Sequence, residues 1–216
     1  MTADPRKTAL RRALRARRAA QEPGIVTEAS AALTARVRAH SAWRSAGSVA
    51  AFVGVRGEPN THALLEAALA EGRQLWLPRV LHGRAGESVL VQVDTLDQLA
   101  PAGFGLLEPR PHPGEQLLTT VNAKAPLDLI LVPGLAFSSR GDRIGFGAGH
   151  YDRLLAPVAR HLHPIRMGVC LSSFLDPAEG PIPTASHDVS MHWIATEHGL
   201  LDARPESADP RDSVSS

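Results

Sequence analysis

The spacing of apolar positions changes after about residue 48, from a helical period to short continuous runs. Ahead of that point, Asp4 is a suitable N-cap for a helix that continues to about Ala20, with Leu10 and Leu14 on its inner stripe. A second helix is predicted over residues 26–40. The amino-terminal part of the chain is therefore expected to be helical.

Beyond residue 48, short apolar runs alternate with amphipathic helices. The predicted strands cover residues 49–55, 74–78, 88–93, 127–133, 166–171 and 192–196, and the predicted helices cover residues 61–72 and 151–160. The run LDLILVP at 127–133 is apolar on both faces, which is typical of a central parallel strand. This order predicts a three-layer α/β/α domain with a mainly parallel sheet of about six or seven strands.

Composition bounds the classes of function. The chain has 216 residues, and 23 Lys and Arg against 22 Asp and Glu leave a formal net charge of +1, which argues against a nucleic-acid-binding protein. The one cysteine, Cys170, cannot form an intramolecular disulfide, and the first residues carry no signal-peptide pattern, so we expect a cytoplasmic protein. No apolar run is long enough to span a bilayer. We expect a monomer with a folded domain over 1–202 and a polar, disordered tail over 203–216.

Positive charge is concentrated at the start of the chain. The first eighteen residues hold seven basic side chains and one acidic side chain. Lys7 and Arg11 are spaced i, i+4, which places two cations side by side on the predicted helix. A local anion site is expected there.

The segment after the central strand carries the most distinctive pattern. Gly145, Gly147 and Gly149 alternate within RIGFGAGHYD, where backbone N–H groups are able to approach an anion closely. Arg143 precedes the glycines and Asp152 follows them, a combination that suits a phosphate group and its Mg²⁺ ion. The spacing matches neither G-x-G-x-x-G nor the P-loop, and a flexible turn is the alternative interpretation.

Six segments with distinctive residues follow one another between about residues 6 and 198. They are KTALR at 7–11, GEPNT at 57–61, LPRV at 77–80, the stretch from Phe104-Gly105 to Glu108-Pro109, VPGLAFSSRGDRIGFGAGHYD at 132–152, and HDV at 187–189. In this order they resemble the 5-formyltetrahydrofolate cyclo-ligases, also called methenyltetrahydrofolate synthetases. Six matches in this order are far more specific for the family than a match to any one segment.

The resemblance implies a fold, a reaction and its participants. The fold would be the NagB/RpiA/CoA-transferase-like α/β/α arrangement. The reaction would convert ATP and 5-formyltetrahydrofolate into 5,10-methenyltetrahydrofolate, ADP and phosphate, with Mg²⁺ as cofactor. In the family's proposed mechanism the formyl oxygen attacks the γ-phosphate, N10 adds to the activated carbon, and phosphate leaves.

The resemblance also implies roles for individual residues. The ATP-binding residues would be Lys7, Arg11, Arg143, Gly145, Gly147, Gly149 and Tyr151, of which Lys7, Arg143 and Tyr151 would be catalytic. Asp152 and Asp188 would bind Mg²⁺. Glu58 would hold the folate near its reacting end, Val53 would line the pterin site, and Tyr151 would lie close to the formyl group.

Two other functions stay open at this point. Phe146, Ala148 and His150 depart from the family's usual loop residues, and they motivate a paralogue that binds nucleotide or folate without catalysis. A sugar-phosphate isomerase or an acyl-CoA transferase on a similar sheet is the other alternative, and neither would require ATP.

Overall fold

The computed structural model of the chain describes residues 4–55, 57–81, 87–122 and 125–204. The helices in these ranges are α1 (Pro5–Ala19), α2 (Pro23–Ala39), α3 (Ser41–Ser45), α4 (His62–Ala70) and α5 (His150–Leu155). The strands are β1 (Ser48–Ala50), β2 (Gln74–Val80), β3 (Ser88–Val93), β4 (Leu99–Pro101), β5 (Leu107–Pro109), β6 (Leu117–Leu118), β7 (Leu129–Pro133), β8 (Ala136–Phe137), β9 (Arg143–Ile144), β10 (Ile165–Val169), β11 (Trp193–Ala195) and β12 (Leu200–Asp202).

Helix α1 begins where its capping residues predict. The Asp4 carboxylate accepts a hydrogen bond from the Arg6 backbone N–H at 2.8 Å, and Pro5 occupies the first helical turn, where no amide donor is needed. Leu10 and Leu14 are buried, so the predicted inner stripe is confirmed. α2 begins at Pro23, three residues before the predicted start, because proline also suits its first turn.

One large sheet organises the domain. Its eight strands have the order β12-β11-β10-β7-β1-β2-β3-β6. The five strands β11, β10, β7, β1 and β2 pair in parallel, whereas β12, β3 and β6 pair antiparallel. The mainly parallel sheet is confirmed, with two more strands than the six located from the sequence.

Helices cover both faces of this sheet. Leu10 and Leu14 of α1 and Leu154 and Leu155 of α5 belong to a core cluster on one face. Leu33 and Val37 of α2, Trp43 of α3, and Leu64 and Leu65 of α4 belong to the cluster on the other face. Central β7 supplies Ile130 and Val132 to the first cluster and Leu129 and Leu131 to the second. The three-layer α/β arrangement is thus confirmed, while the closer likeness to the NagB/RpiA/CoA-transferase-like fold stays a prediction.

Strand β1 is much shorter than the apolar run 49–55 predicts. After Ala50, the Ala51 N–H still bonds the Trp76 carbonyl at 2.9 Å, but the chain then turns away from the sheet. The buried Thr61 hydroxyl donates to the Phe52 carbonyl at 2.5 Å and accepts from the Gly54 N–H at 3.1 Å. A side chain therefore replaces the neighbouring strand as hydrogen-bond partner, and a hydropathy pattern does not show this.

The carboxy-terminal elements also differ from the prediction. α5 ends at Leu155, where a 3-10 turn over Ala156–Val158 begins, because Pro157 cannot continue the helical hydrogen bonding. The segment 192–196 is not the last strand, since β12 follows it. Ala203 is still buried, and its N–H donates to the His192 carbonyl at 2.9 Å. The rest of the predicted tail, 205–216, lies outside the described residues.

Candidate functional site

The site lies at the carboxyl ends of the central parallel strands, where ligands of open α/β sheets bind. Pro133 ends β7 and is followed by Gly134 and Leu135. The segment that leaves β1 carries Glu58, and the glycine-rich loop runs from β9 to α5. α1 supplies side chains to all of these segments.

A stripe of cations on α1 faces these segments. Lys7, Arg11, Arg15 and Arg18 are spaced by four, four and three residues, which places them on one side of a helix. Lys7 Nζ lies 2.5 Å from Asp188 Oδ2, Arg11 Nε donates to the Gly145 carbonyl at 3.0 Å, Arg15 Nη2 to the Phe146 carbonyl at 2.6 Å, and Arg18 Nη2 to the Gly134 carbonyl at 2.8 Å. Sequence reasoning selected Lys7 and Arg11 but missed Arg15 and Arg18, although the helical spacing was the available signal.

The glycine-rich loop has a backbone that only glycine adopts easily. Gly147 has φ +108° and Gly149 has φ +69°, both in the left-handed region. A Cβ atom added at Gly145 would lie 2.9 Å from Arg143 Nη1. The loop is thus shaped by the α1 cations and by Arg143. The six-residue α5 begins directly after the loop.

Arg143 joins the strand end to the helix that carries Tyr151 and Asp152. Its Nη2 donates to Asp152 Oδ1 at 2.7 Å, and its Nη1 donates to the Pro133 carbonyl at 3.2 Å. Its guanidinium carbon lies 5.7 Å from the centre of the Tyr151 ring. The buried Tyr151 hydroxyl has no hydrogen-bond partner among the described residues, and desolvation raises the pKa of this phenol.

Glu58 is buried beside the end of α1. Its Oε2 accepts from the Val55 N–H at 3.1 Å, and its Oε1 lies 3.5 Å from Arg18 Nη1. Desolvation raises the pKa of Glu58 to about 7, with Arg18 and the Val55 N–H acting in the opposite direction. The Glu58 charge also helps to raise the pKa of Tyr151, which indicates that the two groups are close enough to interact.

The two aspartates that the resemblance names as metal ligands each hold a cation through one carboxylate oxygen. Asp188 Oδ2 accepts from both Lys7 Nζ and the Ala185 N–H, the latter at 2.7 Å, while Asp152 Oδ1 accepts from Arg143. Across the described ranges, no group of three or more His, Cys, Asp or Glu side chains is arranged to hold a metal ion. A protein cage for a cation is therefore not formed by these residues.

Val53 and the LPRV segment contact other parts of the domain. Val53 is half-buried and packs against the core cluster on the α2, α3 and α4 side of the sheet. Arg79 of the LPRV segment forms a two-bond fork with Glu115, at 2.7 and 2.6 Å, and the Val80 N–H donates to Glu108 Oε2 at 3.2 Å. Those contacts tie β2 to the 107–118 segment.

No helix in the described part of the chain combines the length and the apolar character needed to cross a membrane.

A cavity of about 150 Å³ lies at the opposite, amino-terminal end of the strands. It is lined by Asn122, Ala125, Leu127, His161, Leu162, His163 and Pro164. This cavity contains no residue of the candidate site.

Comparison with known proteins agrees with this geometry. A sequence model of the 5-formyltetrahydrofolate cyclo-ligase family matches residues 3–197. A 5-formyltetrahydrofolate cyclo-ligase from Mycolicibacterium smegmatis is 35% identical over 165 residues, covering 74% of this chain and 79% of the relative. A probable 5-formyltetrahydrofolate cyclo-ligase from Caenorhabditis elegans is 30% identical over 151 residues, covering 68% and 70%.

A solved structure extends the likeness to three dimensions. The 5,10-methenyltetrahydrofolate synthetase of Aquifex aeolicus superposes with a TM-score of 0.75 at 26% identity, and the match covers 94% of this chain and 95% of that protein. The family match spans α1, the glycine-rich loop and Asp188, which are the segments that converge at the strand ends. The chain therefore belongs to the 5-formyltetrahydrofolate cyclo-ligase family of enzymes.

Proposed function

We propose that this chain uses ATP and Mg²⁺ to convert 5-formyltetrahydrofolate into 5,10-methenyltetrahydrofolate, releasing ADP and phosphate. The observation that carries the proposal is the cation stripe of α1, which bonds the glycine-rich loop through Arg11 and Arg15 and reaches the buried Glu58 through Arg18. A site for polyphosphate and a desolvated site for an organic substrate thus adjoin along a single helix. The family membership and the synthetase relatives support the same reaction.

The phosphate half of the site consists of Lys7, Arg11, Arg143 and the loop from Gly145 through Gly147 and Gly149 to Tyr151. Phosphoryl transfer requires the reacting oxygens to be placed in line and their developing charge to be neutralised, and it asks little covalent chemistry of the protein. Lys7 and Arg143 are the catalytic cations in this proposal, and each is held in place by one carboxylate. Arg11 fixes the loop through the Gly145 carbonyl.

The Mg²⁺ site uses Asp152 and Asp188. Arg143 engages Oδ1 of Asp152, and Lys7 engages Oδ2 of Asp188, whose Oδ1 lies 3.8 Å from His187 Nε2. This arrangement fits Mg²⁺, which binds proteins through one or two carboxylates and takes its other ligands from phosphate and water. When bound, the ion supplies charge neutralisation for the phosphates.

The folate half consists of Glu58, Val53 and Tyr151. The formyl oxygen forms a bond to the γ-phosphorus as the bond to ADP breaks, which turns a poor leaving group into a good one. N10 then bonds the formyl carbon and loses its proton, and phosphate departs with the former formyl oxygen. Glu58 accepts hydrogen bonds from the substrate's N–H groups, and the Tyr151 hydroxyl donates toward the formyl group.

The loop substitutions that motivate a non-catalytic paralogue have local compensation. Arg15 donates to the Phe146 carbonyl, and Arg153 donates to the Ala148 carbonyl. Positive charge therefore reaches the loop from neighbouring elements at both positions where relatives often carry other residues. This observation supports ATP binding at the loop despite Phe146 and Ala148.

The test is the absorbance of 5,10-methenyltetrahydrofolate after purified protein is mixed with 5-formyltetrahydrofolate, ATP and Mg²⁺. We expect product only when all three are present. Binding of folate or ATP in a calorimeter without product would favour the paralogue, and turnover after ATP is omitted would favour an isomerase or a transferase. The cytoplasmic location and the monomeric state stay predictions, and light scattering measures the latter.

A further inference from the structure

Arg18 is the one cation of the α1 stripe whose side chain is almost completely enclosed, at 4% exposure. Its Nη2 donates to two successive carbonyls, those of Gly134 at 2.8 Å and Leu135 at 3.0 Å. Both carbonyls follow directly on the carboxyl end of β7. The guanidinium is thereby anchored to the central strand of the sheet.

The other arm of the same guanidinium points to Glu58. Arg18 Nη1 lies 3.5 Å from Glu58 Oε1, and neither atom has a hydrogen-bond partner among the described residues. The Glu58 side chain is 5% exposed, so both charges are removed from water. Such a pair adds little net stability, because the cost of desolvation offsets the attraction, but loss of one partner leaves an uncompensated charge.

Two aromatic rings lie beside the guanidinium. Its central carbon lies 4.9 Å from the centre of the Phe174 ring and 5.7 Å from that of Phe146 in the glycine-rich loop. The second arm is thus directed at Glu58 by an anchor and by two rings. An arginine fork satisfies this geometry, whereas a lysine offers a single point charge.

We propose that Arg18 is a positioning residue of the folate half of the site: it holds Glu58 beside the end of β7 and so determines how that carboxylate meets the substrate. This inference rests on the proposed function. Arg18 is assigned to the folate half, unlike Lys7 and Arg11, because its partners are the strand-end carbonyls and the buried Glu58.

The charges that face this pair come from three elements. Glu58 interacts with Arg18 on α1 and with Tyr151 on α5, while Arg18 also senses Arg17 on its own helix and Cys170 after β10. Arg18 favours the ionised form of Glu58. Loosening Arg18 therefore raises the pKa of Glu58, and more of the carboxyl is protonated at neutral pH.

The experiment measures binding of 5-formyltetrahydrofolate and of ATP by calorimetry from about pH 6 to about pH 8.5, a range that brackets this titration. The variants are Arg18→Lys, Glu58→Gln and the double variant, with Arg12→Lys as the matched control from an exposed position on the same helix. At neutral pH we expect Arg18→Lys to bind folate about fivefold more weakly, as for a rise of about one unit in the pKa of Glu58 from about 7, with ATP binding unchanged.

The pH dependence separates positioning from structural support. Folate binding by Arg18→Lys should recover at the alkaline end, and the double variant should bind no more weakly than Glu58→Gln. Equal loss at every pH, or losses that add in the double variant, would overturn the positioning role. Wild-type folate binding with the expected pH dependence but no methenyl product would reject the proposed reaction alone. Absence of wild-type folate binding would overturn both.

Discussion

At the scale of single residues, three opposite-charge pairs surround the site: Lys7 with Asp188, Arg143 with Asp152, and Arg18 with Glu58. Each cation is held by one carboxylate before any ligand binds. Preorganised charge of this kind stabilises a transition state without reorganisation during the reaction. The pairs differ in burial, and the Arg18–Glu58 pair is the most enclosed.

Lys7 is expected to tolerate neither removal nor exchange for arginine. Its flexible stem lets the ammonium follow a phosphate group whose geometry changes, whereas a planar fork pairs with Asp188 in a fixed arrangement. We expect Lys7→Ala to lose about 2 to 4 kcal/mol of transition-state stabilisation and Lys7→Arg to lose less. Steady-state kcat/KM measures this loss, with the melting temperature as a folding control. Unchanged turnover in Lys7→Ala would contradict the assignment.

Asp152→Asn is expected to raise the Mg²⁺ requirement. A neutral amide is a weaker ligand for a hard cation than a carboxylate, and it also pairs less strongly with Arg143. Titrating Mg²⁺ at saturating ATP should show a higher half-saturation concentration, with much of the maximal rate restored at high Mg²⁺. A rate loss that no Mg²⁺ concentration restores would instead indicate that Asp152 acts through Arg143.

At the scale of elements, α1 combines a structural and a binding role on different faces. Leu10 and Leu14 fix the helix on the sheet, and this packing directs the cation stripe toward the strand ends. Because helical spacing places the basic residues of α1 on different sides of the helix, the contribution of each residue can be tested separately. Arg15 and Arg12 are both exposed arginines, but only the contact from Arg15 to the loop is observed in the described residues.

Arg15→Met should therefore weaken ATP use, whereas Arg12→Met should not. The lost bond from a charged donor to the Phe146 carbonyl predicts an increase in the KM for ATP of about threefold to tenfold, with the KM for folate little changed. Kinetics with each substrate varied in turn measure the two constants. Equal effects of the two variants would show that general positive charge, rather than the loop contact, assists ATP binding.

The elements also show which features a sequence reveals. Capping residues and continuous apolar runs located α1, β7 and β10, because local preference and burial agree there. The run 49–55 was misleading, because the Thr61 side chain ends the strand pairing of β1. Arg18 was missed because its role depends on strand-end carbonyls more than a hundred residues away. Roles that depend on long-range packing are not present in local patterns.

At the scale of the whole molecule, the site reduces the stability of the fold as pH rises. The pKa of Glu58 is raised from 4.5 to about 7, so folding favours its protonated form. The stability from this group is fully present below the lower value and is lost as pH rises through the higher value. Between these limits the free energy of unfolding should fall by about 3 kcal/mol relative to Glu58→Gln, which cannot titrate.

Urea unfolding of both chains at several pH values measures that difference. The two chains share every other carboxyl group, so the contribution of those groups to the pH dependence cancels in the difference. A difference that stays constant over the whole pH range would show that folding leaves the pKa of Glu58 unchanged.

The rims of the sheet have a consequence for crowded solutions. β6 at one rim has two residues and β12 at the other has three, so each outer strand offers only a short row of backbone donors and acceptors. Edge-to-edge pairing between copies needs a longer row to repay the ordering of two chains. The short outer strands therefore limit edge-to-edge pairing between copies of the native chain.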